Sequence, residues 1–362
     1  MSSLSIIIPT FNEAECILTL LENIEDVISD LDHEIIIVDD NSADNTAEIV
    51  RNYTNSNQLN NIHCIHRTWS KGLSSAVVEG ISLASKELVC VMDGDGQHDP
   101  KDILKMLEVL LADKTDLVVG SRFLLSDHTH GFNIKRNRLS EAGIKLSNLF
   151  VRAKISDPLS GFFLTKRTLI LEAGTNLYKE GFKILFDFMM VQPNITVSEV
   201  QINFKERLGG ESKLNLSTFF SLIGQIVENL TKGIISSSFL VFSLVGSFGV
   251  LIHLSTLSIL LAAEINFLSA NLISTLLAMT SNYLLNNFLT FHNVHKSLKQ
   301  KFFGLTKYTF VNSLSILANV GIAYQLFENN FSAIASALVG IFAGLILNYA
   351  LSRKLVFNQN SI

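Results

Sequence analysis

The sequence predicts an α/β domain on a mostly parallel sheet, followed by an all-α domain of four membrane-spanning helices. Three observations carry that. Short β-branched runs alternate with helical patterns over roughly the first 200 residues, as in doubly wound sheets. Those runs end in acidic and turn-forming residues, where open α/β sheets place their ligands. Formal charge then almost vanishes: from Ile234 to Asn293 only Glu264 is charged, and from Tyr308 to Ser352 only Glu328. Over the whole chain 48% of residues are hydrophobic and the mean hydropathy is +0.35, and that excess sits in the second half.

Leu4 to Ile8 reads as the first buried strand, ending in Pro9-Thr10-Phe11-Asn12-Glu13. A helical pattern follows through Ile17, Leu20, Leu21 and Ile24. Glu34 to Val38 is the second strand; its end, Asp39 to Thr46, mixes carboxylates with capping residues and suits a ribose or base contact beside a helix start, or simply a capped loop. His63 to His66 makes a third strand leading to Lys71-Gly72, a candidate for a phosphate or base edge at a helix start. Leu88 to Met92 is the fourth, and Leu117 to Val119 the fifth, ending Gly120-Ser121-Arg122. A basic stretch carries Lys135, Arg136, Arg138 and Ser140. Asp157 to Phe163 reads as a turn into a strand, Gly181 to Asp187 follows, and a last strand falls near Ser198 to Phe204. Arg207 to Leu214, with Gly209-Gly210 and Lys213, reads either as a clamp for a phosphate at the bilayer surface or as a basic linker drawn to anionic lipid.

Asp93-Gly94-Asp95-Gly96-Gln97-His98-Asp99-Pro100 is the centre of the first half. Two carboxylates one residue apart at a strand end supply two hard oxygen ligands, the set Mg²⁺ or Mn²⁺ accepts alongside phosphate oxygens. Gly94 and Gly96 are expected to let a nucleotide approach the backbone; Asp and Gly are also ordinary turn residues.

A net charge of -5 gives no case for nucleic acid. Cys16, Cys64 and Cys90 lie in or beside apolar runs with no CxxC spacing, so buried reduced thiols are expected. No basic segment precedes an apolar core at the start, so no cleavable signal peptide is expected and the first half should be cytoplasmic.

The stretch 214–233 places apolar residues at helical spacing among Gln225, Glu228, Asn229 and Lys232, which suits helices lying in the membrane interface. The spans are expected at about 235–262, 267–288, 308–327 and 331–351, each near the ~20-residue spanning length. Lys296, Lys299, Lys301 and Lys307, with Arg353 and Lys354, put the second connection, both termini and the first half on the cytoplasmic side. Asn282 to Phe291 recurs as Asn348 to Phe357, as though two helix hairpins were duplicated.

Taken in order, Pro9 to Glu13, Val38 to Ser42, Asp93 to His98, Gly120 to Arg122, and Arg207 with Gly210 to Leu214 resemble the inverting family 2 glycosyltransferases of GT-A fold. The likeness covers residues 4–214 and is to the polyprenyl-phosphate (dolichyl-phosphate) mannose synthase branch, whose products feed glycan or protein glycosylation. It implies that Pro9, Phe11, Glu13 and Asp39 line a nucleotide-sugar pocket, to which Lys71 is added from its place before a helix start and Asp93 and Asp95 from the strand end. It implies that Asp93, Asp95 and Gln97 hold Mg²⁺ or Mn²⁺, and that Asp95, Arg122 and Arg207 are catalytic. Arg122, Arg136, Ser140, Arg207 and Lys213 would hold the lipid phosphate. Phe11 replaces a frequent Tyr, Asp187 a frequent Glu, and Glu141-Ala142-Gly143 alters the usual pattern beside Ser140. The second half resembles the GtrA-like four-helix domain. The division implied is a GT-A domain at 1–213, interfacial helices at 214–233 and the membrane domain at 234–362.

The implied reaction is transfer of mannose from GDP-mannose to a polyprenyl phosphate, with a homo-oligomer left open. A lipid monophosphate is already an anion, so attack needs cations to hold donor and acceptor rather than a strong base. A UDP-hexose donor with undecaprenyl phosphate is a rival of the same class, and a non-catalytic transporter of lipid-linked sugar a rival of another. A processive synthase would carry Gln-x-x-Arg-Trp after the Asp pair, and the sole tryptophan, Trp69, precedes it.

Overall fold

The computed structural model describes residues 3–68, 72–124, 134–174, 177, 183–205, 216–231, 234–290 and 297–342. The chain divides into two compact units, Met1–Leu214 and Asn215–Ile362.

The first unit is a seven-stranded sheet: β1 (Leu4–Thr10), β2 (His33–Asp39), β3 (Ile62–His66), β4 (Leu88–Val91), β5 (Leu117–Ser121), β6 (Phe163–Lys166) and β7 (Val197–Gln201). Its order is β3-β2-β1-β4-β6-β5-β7. β1 is parallel to β2 and β4, and β2 to β3. β6 runs antiparallel to both β4 and β5. The helices are α1 (Ile17–Ile28), α2 (Thr46–Asn57), α3 (Leu73–Leu83), α4 (Lys101–Ala112), α5 (Ile134–Phe150), α6 (Arg167–Ala173) and α7 (Ile184–Val191). The expected strands are all present. The sequence pattern did not reveal the one reversal, at β6, because a central strand buried on both faces reads the same in either direction.

β1, β2 and β4 are buried along nearly their whole length, as strands covered by helices on both faces must be. Ile17, Leu20, Leu21 and Ile24 of α1 and Ile103, Met106, Leu107 and Leu110 of α4 recur at i, i+3 and i+4 and close over Ile6, Ile8, Ile35, Ile37 and Cys90 in one core. Cys16 and Cys90 are buried free thiols as expected, while Cys64 is only half-buried; burial still pushes the Cys64 thiol up to about 11.

The second unit is helical: α8 (Leu216–Leu230), α9 (Ser237–Ala262), α10 (Phe267–Leu285) with a π-helical turn over Asn286–Thr290, α11 (Leu298–Val311), α12 (Ser313–Glu328) and α13 (Ala333–Phe342). The amphipathic stretch is one helix, α8, burying Leu222, Gln225 and Ile226 at i, i+3 and i+4. Among the described residues one helix, α9 over Phe239–Ala262, is by itself long and apolar enough to cross a bilayer.

The region of the third expected span differs. Helix begins at Leu298, within the lysine-bearing connection, and breaks at Asn312 before α12. Ser297 and Gln300 form a reciprocal capping box that starts α11, a local signal that outweighs the polarity of the segment. The second copy of the internal repeat lies outside the described residues, as does the end of the fourth expected span.

A Cβ on Gly80 of α3 would stand 2.5 Å from Ile7 Cγ2 and 3.1 Å from Val38 Cγ2. Alanine there gains about 1 kcal/mol of helix propensity against about 1–3 kcal/mol of overpacking on β1 and β2. Gly80→Ala should therefore lower the thermal midpoint, read by heating the purified protein; an unchanged or higher midpoint would mean the helix slides off the sheet freely.

Candidate active site

Because β1, β2 and β4 are parallel, their carboxyl ends share one edge of the sheet. Two loops are laced together there. Asn12 donates its N–H to Ser42 Oγ at 2.9 Å and accepts from the Ala43 N–H at 2.9 Å, and Ala14 N–H donates to Asp44 Oδ2 at 2.9 Å. Asn12, Asn41 and Asn45 have φ of 58°, 56° and 66°, a region Asn tolerates better than most residues.

Pro9 is buried in β1 opposite Val38, Glu13 is half-buried, and Phe11 is exposed. Asp39 is buried, and its carboxylate accepts from Thr10 Oγ1 at 3.1 Å and from Ser42 N–H and Oγ at 3.0 and 2.5 Å. His66 Nδ1 lies 3.2 Å from the same carboxylate. Asp39 is thus the post to which three strand ends are tied. Asp40 does similar work: Arg67, wholly buried, reaches its Oδ1 at 2.7 Å and Glu79 at 3.1 Å, while Gly72 N–H donates to its Oδ2 at 2.7 Å. Lys71, beside Gly72, lies outside the described residues.

Asp93 lies two residues beyond the end of β4. Asp95 is buried and accepts the Gln97 N–H at 3.1 Å. Gln97 Nε2 donates to the Lys205 backbone C=O at 3.1 Å and the Gln97 backbone C=O accepts the Lys205 N–H at 2.8 Å, so the side-chain amide oxygen is the atom Gln97 offers a cation. Gly94 packs closely on β1. A Cβ there would meet Thr10 Cγ2 at 2.9 Å and Pro9 O at 3.2 Å, so the missing side chain lets the loop lie against β1. Gly96 has φ of 73°, which turns the chain toward Gln97.

Around Asp93 the structure gathers Arg122 together with groups to which the sequence assigned no role. His98 is buried between Phe162 and Phe204, with ring centroids 4.9 and 5.3 Å away, and its Nε2 is 3.5 Å from Asp93 Oδ2. Arg122 pairs through Nε with buried Asp157 at 2.8 Å and lies over Phe123 and Phe204 at 5.0 and 4.9 Å. Lys183 Nζ donates to Leu159 C=O at 2.9 Å. Burial, the largest influence on Asp93, pushes its carboxyl up. The His98 hydrogen bond and the charges of His98, Lys183 and Arg122 outweigh it and hold Asp93 below the usual carboxylate range. Burial holds Lys183 below the usual lysine value, against Asp93. A Cβ on Gly161 would overlap the Asp93 carboxylate, so only glycine leaves that carboxylate its place.

Ser140 lies in α5, half-buried, and the side chain of Arg136 in the same helix lies outside the described residues. So do Arg207 and Lys213. Asp187 is buried in the first turn of α7. Among the described residues no three His, Cys, Asp or Glu side chains form a metal cage. A two-carboxylate set with one amide oxygen is what Mg²⁺ takes when substrate phosphates complete its shell, so the residues present fit such an ion.

Known proteins match both halves. Residues 5–173 match the model of glycosyl transferase family 2, and residues 241–357 that of the GtrA/DPMS transmembrane domain. Dolichol-phosphate mannosyltransferase of Pyrococcus furiosus is 29% identical over 355 residues, 98% of this chain and 99% of its own. Its counterpart in Mycosarcoma maydis is 32% identical over 235 residues, 62% of this chain and 78% of its own. Undecaprenyl-phosphate mannosyltransferase of Micrococcus luteus is 28% identical over 62% of this chain and 91% of its own.

A GT-A sheet with an Asp-x-Asp strand end beside Arg122 defines the protein as a glycosyltransferase. The chain belongs to glycosyl transferase family 2, here joined to a helical GtrA/DPMS transmembrane domain that makes it a membrane protein.

Two outcomes are expected. Arg122→Gln strands the buried Asp157 charge and should lower stability by about 3–5 kcal/mol. Adding Asp157→Asn should recover most of that in a denaturant-midpoint cycle, whereas strict additivity would show that the two groups are uncoupled. Gly161→Ala should reduce transfer at least tenfold with little change in thermal midpoint, since the obstructed group is a side-chain end; full activity would show that the position of Asp93 does not matter.

Proposed function

We propose that this protein transfers mannose, with inversion, from GDP-mannose to a polyprenyl (dolichyl) phosphate, using Mg²⁺ or Mn²⁺. The observation that carries the reading is the cation-flanked Asp93 at the end of β4, with Asp95 two residues on, in a chain alignable nearly end to end with an archaeal dolichol-phosphate mannosyltransferase.

In this reaction a phosphate oxygen of the lipid attacks the anomeric carbon. The bond from that carbon to the diphosphate breaks, the electron pair leaves with GDP, and configuration inverts. The acceptor is an anion at neutral pH, so no strong base is required. Arg122 and Lys183 instead bring positive charge to the place where two anions must meet. The loops tied by Asp39, with Pro9, Phe11, Glu13 and Lys71, border the nucleotide. Asp93, Asp95 and the Gln97 amide oxygen would hold the divalent ion, which when bound neutralises the departing diphosphate. Asp157 orients Arg122 and Gly161 leaves room for Asp93. Arg136, Ser140, Arg207 and Lys213 are assigned to the lipid phosphate.

The membrane domain is assigned four crossings with the catalytic domain and both termini cytoplasmic, following the lysines at 296–307 and the basic pair Arg353-Lys354. Helix α8 is assigned to the interface.

The test is a donor panel. Full-length protein in detergent, with divalent cation and polyprenyl phosphate, is offered labelled GDP-mannose, UDP-glucose and UDP-N-acetylglucosamine. Label should enter the lipid phase from GDP-mannose alone, and Asp95→Ala should abolish it with the fold retained. Label from a UDP-sugar alone would overturn the donor assignment, and wild-type turnover in Asp95→Ala the metal assignment.

A further inference from the structure

A polar cavity lies inside the helical unit, where a membrane domain ordinarily packs apolar side chains. It measures about 110 Å³ and is lined from α9, α10, α11, α12 and α13. His253 lies about 24 Å along α9 from Ser237 in a helix about 39 Å long, at 1.5 Å per residue, so the cavity stands within the span.

Three asparagines on its wall carry side-chain oxygens buried without a hydrogen-bond partner: Asn282, Asn312 and Asn319. Asn312 is 3% exposed, and its Nδ2 donates to Tyr308 C=O at 2.7 Å, which fixes Oδ1 as the free end. Two of the three face helix glycines. A Cβ on Gly249 would overlap the Asn282 amide, and one on Gly340 would stand 2.5 Å from Asn319 Oδ1. On the same wall His253 is 2% exposed, with Nε2 at 3.0 Å from Asn271 Oδ1.

Unpaired acceptors in a hydrocarbon surround are costly, and polar groups held there mark function. What they lack is donors. A phosphate would bring more acceptors, and no Arg or Lys lines the wall among the described residues. A set of amide oxygens and an imidazole, with no carboxylate, suits the hydroxyls of an uncharged sugar ring.

We infer that the cavity lined by Asn282, Asn312, Asn319 and His253 is a second carbohydrate site, which takes the sugar of a membrane-borne glycolipid between the helices. That the occupant is a sugar rests on the glycosyl-transfer reading above; the site itself lies in the other unit and is tested separately.

Full-length protein in lipid nanodiscs is titrated with tritiated octyl β-D-mannoside and, separately, octyl β-D-glucoside. Saturable binding of at least one is expected, weakened at least tenfold in Asn312→Leu and unchanged in Asp95→Ala. Val250→Phe fills the cavity from α9 without removing a polar group and should weaken it equally. Transfer activity of Asn312→Leu and Val250→Phe, expected near wild type, reports that they are folded. Displacement by excess octyl glycoside but not by equal free mannose supports a membrane-borne source, and equal displacement by both overturns it. Binding indifferent to both cavity variants overturns the site, as does absence of saturable binding. Octyl phosphate binding in place of the glycosides, or occupancy requiring sodium rather than choline, assigns the cavity to an ion and also overturns it. A donor panel with no mannosyl transfer while glycoside binding persists would strike only the functional reading.

Discussion

The cluster of charged groups around Asp93 depends on one reversal of chain direction. β6 pairs antiparallel with β4, with Phe163 opposite Val91, so the residues that enter β6 lie beside those that leave β4. That places Gly161 against Asp93. β6 is also antiparallel to β5, and Gly120 N–H donates to Phe162 C=O at 2.9 Å, so the entry to β6 lies beside the exit of β5. Asp157 thereby meets Arg122. Reverse β6, and the carboxylate pair, its cations and the glycine between them would stand at opposite edges of the sheet.

The other side of the site is built differently. Parallel strands align the ends of β1, β2 and β3 without connecting them, and the connection comes from side chains that hydrogen-bond to backbone. Asp39 ties Thr10, Ser42 and His66, and Asp40 with Arg67 ties Gly72. Each of these bonds contributes on the order of 1 kcal/mol, and more where a charge takes part. Their collective effect is to hold the loops in place before any ligand arrives, which lowers the ordering cost of binding. The carboxylates of Asp39 and Asp40 thus fix the geometry of these loops.

The helical unit solves an opposite problem. In hydrocarbon every polar group must find a partner inside the protein. Thr275 and Ser274 satisfy this by donating to carbonyls four residues back, at 2.8 and 2.7 Å. The side-chain oxygens of Asn282, Asn312 and Asn319 do not, and these residues line one cavity. Small residues opposite them, Gly249 and Gly340, let the amides fit between helices.

The sequence by itself determined the two-part architecture, the strands of the sheet, the Asp-x-Asp strand end and the apolar character of the second half. These are local properties: a period of two, a period of 3.6, a run without charge. It did not reveal that Gly94 packs on β1 or that Asp39 ties three strand ends, since acids and glycines at strand ends look alike along the chain. Asp157, Gly161, Lys183 and Arg67 were all in view as letters in turns, yet their roles lie in partners across the fold. Asp157 finds Arg122 35 residues away, and Gly72 finds Asp40 32 residues away. Only the tertiary structure decided those pairings, because which strand runs backward beside β4 is settled by how the buried faces pack together and leaves no periodic trace along the chain.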